Sequence, residues 1–400
     1  MPSRTSGLRA QGGFIFLIFL AIADPHAVSA TPYIPKSADQ ILERLPSRND
    51  TVQKELAGLR AQLRREPGNL NLAGALARRY INLARSQADP RFLGYAQAAL
   101  APWWGQAKPP AEVLVLRATI LQSTHRFPQA LADLDLLLST DRSNGQAWLT
   151  RATVLQVRGE FEQARNSCAR LYGIASELVM RTCLSNVASL TGSARPSYLA
   201  LKSALERSHN ADPGLQLWIQ TLLAEMAARL GETMASRAHF QRALALDASD
   251  PYLLGAYADF LLDQGRDDDV IALLKDKTRA DGLLLRYALA QANTGAPGAA
   301  QSVVLLRDRF DAAMLRGDTV HQREQSRFEL QLMKNAKSAL KLAQDNWGVQ
   351  KEPADARIFL EAAEAAHDKV AAQPVLAWLK QTGLEDIALN RLKKSLEGPA

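Results

Sequence analysis

Arg117-Ala-Thr-Ile-Leu-Gln122 is answered, 34 residues on, by Arg151-Ala-Thr-Val-Leu-Gln156. The same offset carries Phe127 onto Phe161 and Gln129-Ala130 onto Gln163-Ala164. Self-similarity at a fixed period constrains the fold more than any single element does. Outward from this stretch a second regularity extends the register. A small residue is followed seven positions later by glycine at Ala152/Gly159, Ser185/Gly192, Ala224/Gly231, Ala258/Gly265 and Ala288/Gly295. Twelve residues after each small residue stand Ala164, Ser197, Ser236, Val270 and Ala300. The physical reading is a helix hairpin. Small residues in the middle of both helices let two antiparallel helices approach closely. The glycine between them ends the first helix in a left-handed conformation that other residues adopt at a cost. Asp250-Pro251 opens one unit with an N-capping side chain and a ring already set at the helical φ. Abundant Ala and Leu, with only 6% aromatic residues, suits closely packed helices better than a β-rich fold.

The period of 34, Trp148 near a unit start, the paired small positions and Phe240/Ala243 late in a unit resemble the tetratricopeptide repeat. The best unit is Leu217–Asp250. The resemblance implies an all-α, right-handed superhelical solenoid of antiparallel helix pairs. It is strong over 111–300 and weaker on both sides. Leu70–Tyr80 and Phe92–Leu100 read as a degenerate pair with a longer connection, 319–381 as further pairs, and 383–396 as a capping helix. His125 stands where a turn glycine is expected, and Glu329 and Glu361 where small residues are expected. A single solenoid over 49–397 is the expected domain, with Ala101-Pro-Trp-Trp-Gly105 and the residues up to Pro110 as its one marked interruption. The wording of Leu93–Trp104 and of Asn346–Asp355 also resembles a secreted bacterial repeat family of unassigned role.

Arg4 and Arg9 precede ten apolar residues, Phe14–Ala23, and Val28-Ser29-Ala30 places small residues where a signal peptidase cuts. Residues 1–30 therefore read as an export signal and 31–48 as a flexible segment. The expected location is the bacterial periplasm, or the medium, after cleavage near Ala30, with no transmembrane segment in the mature chain. A net charge of +7 without any block of basic residues argues against nucleic acid as a partner.

Catalytic motifs are scarce. No phosphate-binding loop, Gly-x-Ser-x-Gly or His-Glu-x-x-His occurs. Ser338-Ala-Leu-Lys341 matches Ser-x-x-Lys but lacks its partner motifs and lies in an amphipathic helix. The six histidines are scattered and read as helix-surface or loop residues. No catalytic residue, cofactor or metal site is expected, and the chain reads as a binding protein and not an enzyme. Cys168 and Cys183 fall in consecutive helices, so they are either a disulfide in an oxidising compartment or two small buried thiols filling gaps.

In the family the first helices line the concave face, and the resemblance carries that expectation to a stripe here. It comprises Thr119 and Gln122, Thr153 and Gln156, Thr182, Asn186 and Ser189, Thr221, Glu225 and Arg229, then Asp259 and Asp263. The stripe is polar and turns acidic toward its C-terminal end. The expectation is a groove holding a protein or peptide segment through side-chain amides such as Asn186. The role implied is an adaptor in a cell-envelope complex. Trp103-Trp104 supports an alternative: a protein that binds a glycan or small ligand through exposed aromatic rings.

Overall fold

The five glycines of the repeat pattern take φ between 65° and 79° at the ends of first helices. His125 takes their place one unit earlier, at φ 54°, and Lys334 and His367 do so at 56° and 55°. A stop needs the left-handed backbone, and a non-glycine residue fills it where the hairpin's packing holds it there.

A computed structural model of the protein describes Ser37, residues 50–208 and residues 210–398. The chain divides into two compact units, Met1–Gln53 and Lys54–Ala400. The export signal over 1–30 with its His26, the segment 31–48 apart from Ser37, and His209 lie outside the described residues. In the first unit Asp50 accepts a hydrogen bond from the Val52 backbone N–H at 2.8 Å.

The described residues form helices joined by short turns. Helix α1 covers Thr51–Arg65 and α2 Leu70–Gln87, which pairs with α3 Arg91–Ala99. After the single turn α4, Ala101–Trp104, come the pairs α5 Ala111–Ser123 with α6 Phe127–Thr140 and α7 Gly145–Val157 with α8 Phe161–Ala169. Next are α9 Glu177–Ser189 with α10 Ala194–Arg207, and α11 Pro213–Arg229 with α12 Thr233–Leu246. Then follow α13 Pro251–Asp263 with α14 Asp267–Leu274 and α15 Asp281–Thr294 with α16 Ala299–Leu315. The series ends with α17 Gln322–Gln331 and α18 Ala336–Trp347, α19 Pro353–Ala365 and α20 Gln373–Thr382, and a last helix α21 Ile387–Glu397. Consecutive helices pack as pairs and each pair packs on the next. No described helix is long and apolar enough to cross a membrane.

The paired small positions do what the spacing requires. Ala224, Ala258 and Ala288 are fully buried, as are Ala164, Ser236 and Val270 on the second helices. Arg117 reaches Asp133 and Arg151 reaches Ser167, each 16 residues on, so the motif shared by these two units ties first helix to second in both. Ala300 breaks the pattern and is exposed. Pro297-Gly298 adds a turn, with Gly298 at φ 90°, so α16 starts late and Ser302 and Leu306 face inward instead. The α2–α3 connection is short, not long: α2 runs on to Gln87, and Ala88 turns the chain at φ 47°. Glu329 and Glu361 are half-buried and are not close-packing positions. Between α17 and α18 the close approach is made by Ser326, whose hydroxyl donates to the Ala339 carbonyl at 2.8 Å. Cys168 and Cys183 are joined as a disulfide, with Cα atoms 5.5 Å apart, linking the end of α8 to α9.

A solenoid of this kind ordinarily contacts only its neighbouring units. Here the second unit of the chain coils until later helices rest on earlier ones. The Arg279 guanidinium donates to Asp89, 190 residues earlier, at 3.3 Å, and α13 packs on α2. Glu385 accepts from the Ala194 backbone N–H, 191 residues away, at 2.5 Å. Between them, the Lys351 N–H donates to the Val157 carbonyl at 2.7 Å, and Trp378 packs on Phe161 with the rings tilted and their centroids 6.1 Å apart. A recurring separation near 190 residues is the length of one turn of the coil, and the second turn sits on the hairpin edges of the first. Gly192 serves this contact as well as its own turn, because a Cβ there would lie 3.5 Å from the Gly383 carbonyl oxygen. One apolar cluster spans both turns, from Leu155 and Phe161 through Val187 to Trp347, Phe359 and Leu389.

Candidate binding cavity

The coil forms a half-open cavity of about 1840 Å³, lined by first helices of the first turn and by α15, α17, α19 and the start of α21. On helix α11, Glu225 and Arg229 stand one turn apart and so share its inner face; Asp259 and Asp263 repeat the arrangement on α13. Gln156 from α7 and Asn186 from α9 complete the part of the expected stripe that reaches the cavity.

The threonines of the stripe do not join them. Thr119, Thr153, Thr182 and Thr221 each donate the hydroxyl to the carbonyl four residues earlier, at 2.7–3.0 Å. A helical threonine satisfied this way needs no water. Thr182 and Thr221 are accordingly buried between helices. Gln122 is half-buried and does not line the cavity. Trp103 and Trp104 are half-buried in α4, away from the cavity, with Trp104 packed against the cluster around Leu134. A short helix, and not an open loop, holds both rings.

The wall is strongly charged, and the side chains that matter most come from α15, α17 and α19. Burial alone would raise the Asp259 carboxyl, but the guanidiniums of Arg286 and Arg327, each at 2.5 Å, outweigh it and hold the group well below the usual range. Asp263 accepts both forks of Arg357 at 2.7 and 2.8 Å, and Arg357 also bonds Glu361 at 2.7 Å. Arg323 is ringed by Glu324, Glu352 and Asp355 at 3.1–3.5 Å. Burial pushes Glu352 upward against the pull of Arg323, and its neighbours Asp355 and Glu225 add to the rise. Glu225 is also raised, chiefly by the enclosing protein, although Arg229 and a 2.9 Å hydrogen bond from the Tyr252 hydroxyl oppose this. The cavity cations are arginines, with no lysine among the lining residues. Arginine keeps its charge in any surroundings and its planar fork fixes the geometry of each pair. The arrangement can therefore recognise charge and hydrogen-bonding groups; among the described residues it offers no cluster able to hold a metal ion.

These later-turn arginines were not part of the expected stripe. Asp259 and Asp263 carried a hint of them, since two inward carboxylates on one helix call for nearby cations.

His239 lies outside this cavity and departs from the expectation of a surface position: it is 3% exposed. The Tyr198 hydroxyl meets its Nε2 at 3.0 Å, and Gln220 Oε1 meets its Nδ1 at 2.7 Å. A neutral ring with its proton on Nδ1 satisfies both. Burial, helped by Arg242 and Lys202, lowers its pKa to about 4. The unfolded chain then binds a proton that the folded chain refuses between the ordinary value of 6.5 and 4. Stability from this group is complete above the higher value and is lost as pH falls toward the lower. Between pH 7 and pH 4 the native protein is expected to lose roughly 3 kcal/mol more than His239→Gln, measured by urea unfolding.

No family model matches the chain, and no curated protein matches it. Among solved structures, the APC/C hetero-tetramer Cut9-Hcn1 is similar over 88% of this chain and 97% of that one, at 12% identity and a TM-score of 0.40. Yeast Tom70 is similar over 87% and 93%, at 11% identity and a TM-score of 0.30. The TPR domain of P58(IPK) is similar over 86% and 97%, at 14% identity and a TM-score of 0.22.

Proposed function

We propose that this chain is a non-catalytic binding protein that holds an extended segment of a partner polypeptide in the cavity of its coil. The cavity carries the reading. At about 1840 Å³ it exceeds the roughly 300–1,000 Å³ of small-molecule sites. Its wall mixes side-chain amides with paired charges, a surface suited to a polypeptide's alternating backbone and side-chain groups. The helix-pair architecture, shared with scaffold repeats, supports a role in protein–protein interaction.

The place proposed for it is the cell envelope, outside the cytoplasm, as a scaffold in a protein complex. The apolar run Phe14–Ala23 with its cleavage-like sequence supports export, and the Cys168–Cys183 disulfide suits an oxidising compartment.

The test uses Gln156→Ala combined with Asn186→Ala, two inner-face amides whose removal leaves the helix pairing intact. Crosslinking the full chain in its native envelope, with and without the pair of changes, compares recovery of the same partner. A fall of roughly tenfold is expected, the scale of one lost hydrogen bond or two. Equal recovery from both would remove the cavity from consideration.

A further inference from the structure

The carboxylates of the cavity wall are almost all in use. Asp259, Asp263, Asp281, Glu324, Glu352 and Glu361, like Asp89, are each paired with an arginine. Asp318 and Asp386 accept from backbone N–H groups at a turn and a helix start. Among the described wall residues, Glu225 is the carboxylate with neither an ion pair nor a backbone donor. Its one hydrogen bond comes from the Tyr252 hydroxyl at 2.9 Å. Two cations act on it through charge without pairing to it, and the Nε of one, Arg229, has no partner. Arg323 is held by three carboxylates, and Arg229 directs its Nη2 to the Ser189 hydroxyl at 3.0 Å.

Tyr252 is unusual in the same direction. It stands at the start of α13, keeps 63% of its surface open, and lines the cavity. An exposed tyrosine anchored through its hydroxyl presents a fixed ring face beside a carboxylate. A lysine or arginine side chain is complementary to both parts: its methylene stem lies along the ring while its charged head meets the carboxylate. A hydrophobic or acidic side chain would satisfy only one part or neither.

We propose that Glu225 and Tyr252 form the receptor for a basic side chain of the bound segment. The proposal rests on the cavity being the binding site, and it names the partner's chemistry: an extended polypeptide with a lysine or arginine at the position that meets α11 and α13.

The experiment measures fluorescence anisotropy of the full chain with two labelled dodecapeptides, one of Gly, Ser and Lys and the other the same peptide with every lysine acetylated. The lysine peptide is expected to bind at least about tenfold more tightly, the scale of a charge-assisted hydrogen bond. Glu225→Gln keeps the side chain's shape and its acceptor for Tyr252, and is expected to abolish that preference while leaving the acetylated peptide unaffected. Tyr252→Leu should weaken the lysine peptide with an unchanged melting temperature. If both peptides bind equally and Gln156→Ala with Asn186→Ala weakens both, the cavity reading stands and this assignment is overturned. A lysine preference that survives Glu225→Gln also overturns it. If neither peptide binds, both readings fall.

Discussion

Trp378→Ala is expected to lower the unfolding free energy by about 3–5 kcal/mol, one of two large losses expected, here where distant parts of the coil meet. Trp378 is 8% exposed and sits where the second turn of the coil rests on the first, against Phe161 on one side and Trp347, 5.3 Å between centroids, on the other. Its removal opens a cavity at a contact that no neighbouring pair can close, because Phe161 on the facing side is 217 residues from Trp378. Urea unfolding is expected to be single-step in the native protein and to separate into two steps in this variant, as α17–α21 and the earlier pairs uncouple. Trp378→Phe supplies the contrast. The indole Nε1 is buried without a hydrogen-bond partner. Exchanging the indole for a benzene ring removes that unmet donor while keeping most of the contact, so the loss should stay below about 1.5 kcal/mol. Equal losses for Ala and Phe would show that ring packing is not what joins the turns.

Asp355→Ala is the second. This carboxylate is 1% exposed and gathers four donors: Asn346 Nδ2 at 2.8 Å, Gln350 Nε2 at 3.0 Å, the Glu352 backbone N–H at 2.8 Å and Arg323 at 3.5 Å. Deleting it strands the buried Asn346 amide, leaves Gln350 with its 3.2 Å bond to Asn346 Oδ1 alone, and removes one of the three acids around a guanidinium. The expected cost is about 3–5 kcal/mol, the range for breaking a buried charged network at one member. Asp355→Asn keeps the volume and one acceptor, so it should lose less. Chemical denaturation of both variants separates the network's hydrogen bonds from its charge. Because Arg323 also stands in the cavity wall, Asp355→Ala should in addition weaken whatever the cavity binds.

The hairpins are legible in the sequence for a simple physical reason. A helix pair needs a small residue at each crossing and a left-handed stop between, and few residue types meet those needs, as Ala258, Gly265 and Val270 illustrate. Beyond Gly295 the same needs are met by less typical residues. Lys334 and His367 make the stops, and Ser326 makes the close approach through a hydrogen bond, so spacing by residue type loses the register. A small part of the inner surface is legible by the same logic. Gln156, Asn186, Glu225 and Asp259 follow from helical geometry once the first helix is placed. Thr119 and Thr153 mislead because a threonine hydroxyl that bonds its own helix is indistinguishable in sequence from one that faces solvent. Arg286, Arg323, Arg327 and Arg357 depend on the length of a full coil turn. That length is a sum of small rotations between pairs, and no local pattern encodes it.

That length has a consequence for how such a chain can change. An open array of repeats tolerates duplication or loss of a unit, since each unit meets only its neighbours. Here Asp89 must find Arg279, and Ala194 must find Glu385, with offsets of 190 and 191 residues. Splicing one 34-residue hairpin into the middle would slide every tooth of the upper coil past its slot in the lower one. The number of internal units is thus locked as in a pair of meshed gears, and growth by repeat addition remains open only outside the meshed stretch.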